Sequence, residues 1–126
     1  RIEQQRKILR DTLIQIKEKG KKIFGYGAST KGNVLLQYCD ITSDLLSCIV
    51  EVNEEKFGAF TPGTNIPIIS ESEGERLLPD YYLVLPWHFK DNILPRVQPI
   101  LERGAKFIFP LPELEIIGKD GVSDEV

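Results

Sequence analysis

The sequence contains no methionine, one histidine, one tryptophan and two cysteines, and its net charge is −3. The single histidine, His88, excludes a His-rich metal cluster, and no Cys cluster or carboxylate pair is spaced to replace one. Cys39 and Cys48 lack C-x-x-C spacing, which argues against a disulfide framework and a zinc knuckle and for a reducing compartment, the cytoplasm. Both thiols read as small apolar residues. The negative balance excludes broad, sequence-independent nucleic-acid binding, which needs a basic surface. No apolar run approaches the ~20 residues of a membrane-spanning helix, so neither a nucleic acid nor a membrane is expected as partner. The opening RIEQQRKILR is charged and helical, unlike a signal peptide. No G-x-S-x-G nucleophile elbow is present. The missing initiator leads us to expect a piece of a longer polypeptide.

What remains is an ordinary globular composition of 126 residues, 41% hydrophobic and 28% charged. That length favours one domain and is short for a complete two-substrate enzyme. Residues 1–19 carry Ile2, Leu9, Leu13 and Ile16 at helical spacing, with Gly20 as a stop. Strand and helix patterns then alternate. Strands are expected at Lys22–Tyr26, Ser47–Val52, Ile66–Ile69, Tyr81–Leu85 and Lys106–Phe109. Helices are expected at Thr30–Tyr38, with Val34, Leu35 and Tyr38 inward, at Glu71–Leu78, and at Phe89–Arg103, where Pro95 and Pro99 sit in the first turn or kink it. Short apolar strands alternating with helices indicate a parallel sheet covered on both faces. The expected fold is α/β, a Rossmann-like three-layer sandwich with a mainly parallel five-stranded sheet in the order 3-2-1-4-5. Residues 1–20 form a leading or linker helix, 21–117 the Rossmann-like domain, and 118–126 a polar tail that frays.

The stretch Lys22–Asn33, KIFGYGASTKGN, reads as a strand entering a glycine-rich turn and then a helix. Such a unit favours anions, because free helix N–H groups and the helix dipole both attract a phosphate. It matches neither well-known phosphate motif. A dinucleotide G-x-G-x-x-G would need glycine at Thr30, and a P-loop would need Lys and Ser/Thr at Asn33 and Val34. A tight turn whose glycines only let helix pack on strand is the competing reading. In this topology ligands lie beyond the carboxyl ends of the strands, where strand order reverses. That brings Gly25–Asn33 and Pro86–Phe89 together. Glu51, ending the second strand, is placed to bond ribose hydroxyls, or is a solvated strand-end acid. Asn53 and Lys56 follow it and line the same crevice, or are plain loop composition. His88 is a ligand contact or a structural hydrogen-bonder. Trp87 stacks on a base or covers the sheet. The Pro62-Gly63 turn and Pro67 make Phe60–Ile69 a structural loop with an edge strand.

Four ordered motifs, GYGASTKGN, EVNEEKFGAFTPGTNIPI, YYLVLPWHFKDNIL and FIFPLPELEII, together resemble the C-terminal domain of SAM-dependent nucleotide-sugar C-methyltransferases, from about Lys21 to Ile117. The resemblance implies an upstream SAM-binding domain and a zinc-binding domain before it. S-adenosylmethionine and zinc belong to those parts, with no cofactor on this chain and no catalytic residue in it, so it is not expected to be catalytic alone. It implies a nucleotide-diphosphate sugar, a keto-deoxy sugar, as ligand. Substrate-binding roles carry over to Gly27, Ala28, Ser29, Thr30, Lys31 and Asn33, with Glu51 and His88 as weaker members. Two other readings stay open: an NAD(P)-binding Rossmann domain of an oxidoreductase, favoured by Gly25-x-Gly27 and Glu51, and a non-catalytic packing module.

Overall fold

The run Ile23–Tyr26 forms an interior strand of the sheet, buried at every position. Residues 1–123 and 126 are described, in a computed structural model. The elements are α1 (Ile2–Glu18), β1 (Ile23–Tyr26), α2 (Thr30–Tyr38), β2 (Ile49–Glu51), β3 (Ile68–Ser70), α3 (Glu71–Arg76), β4 (Tyr81–Val84), α4 (Lys90–Arg96), α5 (Gln98–Glu102), β5 (Lys106–Phe109), β6 (Glu115–Gly118) and β7 (Gly121–Ser123). Short 3-10 turns at Glu54–Lys56 and Trp87–Phe89 precede β3 and α4. No helix among the described residues is long and apolar enough to cross a membrane.

The sheet order is β3-β2-β1-β4-β5-β6-β7. The first five strands pair in parallel, with Gly25 of β1 opposite Ile49 of β2 on one side and Leu83 of β4 on the other. The sheet as a whole is mixed and seven-stranded, which corrects the expected mainly parallel five-stranded sheet. β6 and β7 add to β5 as antiparallel strands. The short connection 110–114 allows only this direction, because a parallel return needs a crossover of about a dozen residues or more. Ile116 and Ile117 give β6 its reason to pair, since they point to opposite faces and each joins one of the two cores. Gly121, at φ +103°, then turns the chain back into β7. Residues 118–123 are therefore ordered hairpin rather than a frayed tail, and the expectation for 124 and 125 lies outside the described residues.

Helices cover both faces of the sheet. Leu9, Leu13 and Ile16 of α1 and Leu36 of α2 pack on one core with Ile49, Leu83 and Ile108. Ile93, Val97 and Leu101 of the α4–α5 segment pack on the other with Phe24, Tyr82 and Phe107. The segment Phe89–Arg103 breaks at Val97. α4 ends one residue after Pro95, which lacks the N–H to continue it, and Pro99 sits in the first turn of α5. Two expected faces differ. Ile2 is 65% exposed, so the α1 stripe starts at Leu9. Val34 and Tyr38, expected inward, are 62% and 43% exposed, while Gly32 and Leu36 face the sheet. A Cβ on Gly32 would stand 2.5 Å from Leu85 Cβ, so the point of closest approach fixes the rotation of α2.

Candidate functional site

β1 feeds α2 on one face, and β4 feeds α4 on the other, so strand order reverses between them. The loop after β1 needs Gly27 at φ +80°, and a Cβ there would lie 2.9 Å from Pro86 Cδ. A Cβ on Gly25 would lie 2.7 Å from Ile49 Cγ1. The protein itself therefore fills the base of the reversal crevice with Pro86 and Leu85. Ser29 caps α2 from extended backbone, its hydroxyl accepting the Gly32 N–H at 3.0 Å.

Behind the loop, Ala28 is held at both polar atoms. Its N–H donates to Glu51 Oε1 at 2.9 Å, and its carbonyl accepts from Lys56 Nζ at 2.8 Å. Glu51 Oε2 accepts from the Val52 and Asn53 N–H groups at 2.9 and 2.8 Å. The Glu51 side chain is only 10% exposed, with Lys56 Nζ 3.9 Å from Oε1. Asn53 places that lysine by capping the Glu54–Lys56 turn, its side chain accepting the Glu55 N–H at 3.1 Å.

In front of the loop the pattern inverts. Among the described residues, the Ser29, Thr30 and Lys31 N–H groups donate to no protein acceptor, and the Lys31 ammonium meets no carboxylate. Thr30 and Lys31 line a shallow cavity of about 430 Å³ with Val34, Leu35, Tyr38 and Trp87. One end is cationic and rich in donors; the wall is apolar and aromatic. The Tyr38 hydroxyl donates to Glu3 Oε1 at 2.6 Å, which raises its pKa, and the Arg6 guanidinium lies 5.6 Å from its ring centroid.

The cavity thus unites Thr30, Lys31 and Trp87, while Gly27 and Ala28 stand behind them and Ser29 caps the helix. Asn33 lies on the other flank of α2, by helical spacing the one that carries Ser29 and Gln37. Gln37 Nε2 donates to Pro62 O at 2.7 Å there, and Asn33 Oδ1 is buried with no hydrogen-bond partner. His88 is exposed, its ring 4.3 Å from that of Phe89, and outside the cavity lining. Glu51 is outside it too. Sequence reasoning missed Val34, Leu35 and Tyr38 as lining residues. The signal was the spacing i, i+3, i+4, i+7 counted from Lys31, an apolar stripe with a cation at its head.

The opposite face carries a different polar assembly. The Arg96 guanidinium bonds the Tyr26 hydroxyl and reaches both Glu71 oxygens at 3.2 Å. One turn along α3, Glu75 accepts from the Tyr82 hydroxyl at 2.6 Å and is also bonded by Arg103. Burial, reinforced by the neighbouring carboxylates, pushes both tyrosines well above their usual pKa. No three His, Cys, Asp or Glu side chains among the described residues are grouped to hold a metal ion.

The C-methyltransferase C-terminal domain matches residues 1–112, ending just before β6. The C-methyltransferase NovU of Streptomyces niveus is 37% identical over 101 residues, which is 80% of this chain and 24% of that protein. The chain thus aligns with about a quarter of the length of this curated relative.

Proposed function

The chain belongs to the C-methyltransferase C-terminal domain family, and from that premise we propose that it holds the nucleotide-sugar substrate of a SAM-dependent C-methyltransferase, a keto-deoxy sugar on a nucleoside diphosphate. The observation that carries this reading is the head of α2, where among the described residues the Lys31 ammonium, three N–H groups and the Thr30 hydroxyl have no protein partner, next to an apolar wall. A diphosphate matches the donor end, through charge-assisted hydrogen bonds and the helix dipole. A base or sugar face matches Trp87, Val34 and Tyr38.

On this reading S-adenosylmethionine supplies the methyl group from another part of a longer cytoplasmic protein, and zinc is bound there too. The residues described here offer zinc no ligand group. Their work is to bind and orient. Neutralising the diphosphate and fixing the sugar lowers the entropy cost of bringing donor and acceptor together. Proton transfer and methyl transfer are assigned to residues outside this chain.

A second reading, a packing module without a ligand, is favoured by the glycines, because Gly25, Gly27 and Gly32 all face close protein atoms. Calorimetric titration separates the two. Nucleoside diphosphates and diphospho-sugars are expected to bind, and binding is expected to weaken as salt rises. Absence of binding by every one of them favours the packing module. The NAD(P) reading lacks its ribose partner, because Glu51 is engaged by three backbone N–H groups.

A further inference from the structure

We propose that Glu51 and Lys56 are positioning residues: they clamp Ala28 and so set the aim of the Ser29–Lys31 N–H groups without touching the ligand. This rests on the reading that the head of α2 holds a diphosphate.

Gly27 sits at φ +80° directly after β1, two residues before the Ser29 cap. A glycine hinge leaves the donors after it free to sample other directions. Ala28 is the one residue between that hinge and the Ser29 cap. Its N–H and its carbonyl are both taken by charged side chains, at 2.9 and 2.8 Å. The two clamping groups come from the end of β2 and the turn that follows it, and they neutralise each other across 3.9 Å. Glu51 also gathers the Val52 and Asn53 N–H groups, so its carboxylate is committed to three backbone donors and is nearly buried. An acid at the end of the second strand commonly bonds a ribose. Here it does the work of an internal anion, holding the loop as a bound phosphate would. A donor array fixed in advance binds tighter, because less freedom is lost on binding.

The test uses Glu51→Gln and Lys56→Met, with inorganic pyrophosphate and UDP as probes. Glutamine keeps the shape but offers one acceptor oxygen to three donors. Both probes are expected to bind about tenfold more weakly to either variant, by the same factor, measured well below each variant's melting temperature. The double variant is expected to lose no more than the worse single one, since both residues act through Ala28. Ala28 amide exchange is expected to rise in both variants without ligand. A Glu51→Gln loss confined to UDP overturns the proposal, because it would place Glu51 on the ribose. Unchanged Ala28 exchange overturns the clamp alone. If the wild-type chain binds neither probe, the diphosphate reading falls and takes this role with it, even where exchange shows the clamp intact.

Discussion

The two faces of the sheet use their polar groups in opposite ways. On the α3–α5 face, Tyr26, Tyr82, Glu71, Glu75, Arg96 and Arg103 all end on one another, over an aromatic core in which Tyr82 stacks on Phe107 at 5.0 Å. At the head of α2 on the other face, the Thr30 and Lys31 side chains have no protein partner among the described residues, and Val34 and Tyr38 stand exposed beside them. A buried polar group without a partner costs about 1–3 kcal/mol, so a closed network rigidifies. Unpaired groups at a solvent-facing helix end cost little and remain free to receive a ligand. A face that supports the fold is thus distinct from the face to which we assign ligand binding.

The largest expected effect belongs to the supporting face and to alkaline pH. Burial pushes the Cys48 thiol from 9.0 to about 12, and raises Tyr26 and Tyr82. The folded chain then keeps protons that the unfolded chain releases, so stability present below about pH 9 is lost as pH rises toward 12. Urea unfolding at pH 8 and at pH 10.5 is expected to show a clear drop in midpoint, and equal midpoints would contradict the burial account. Next, Glu75→Ala removes the acceptor of the Tyr82 hydroxyl and leaves Arg103 only the Pro79 carbonyl. It is expected to cost about 2 kcal/mol in urea unfolding while leaving diphosphate affinity unchanged. Smaller still, Lys31→Ala is expected to weaken UDP about tenfold by calorimetry. Its unfolding free energy is expected to shift by less than about 0.5 kcal/mol. If Glu75→Ala alters affinity or Lys31→Ala alters stability, the division between the faces fails.

Much of this architecture was legible in the sequence, for reasons that residues make plain. Tyr81–Val84 and residues 107–109 are apolar runs buried on both sides, and the order of the first five strands followed from their alternation with helices. The hairpin was not legible. Glu115–Gly118 holds one apolar pair, and its strand character comes from pairing with β5 rather than from local pattern. The face of α2 was misread for a related reason. Apolar residues surround this short helix, and the residue that fixes its rotation is Gly32, whose contribution is the absence of a side chain. At the proposed site, the residue types pointed to the loop between β1 and α2. Which groups were already taken depended on Glu51 and Lys56 crossing from β2, a contact over more than 20 residues that no local motif encodes.

The central claim is that the head of α2 receives a diphosphate. Amide chemical-shift mapping of this chain during titration with UDP tests it most directly. The account predicts shifts at Ser29, Thr30 and Lys31, with the Trp87 indole moving in step, and none at Glu71, Glu75 or Arg103. Shifts confined to the α3–α5 face, or none at saturating UDP, would contradict it.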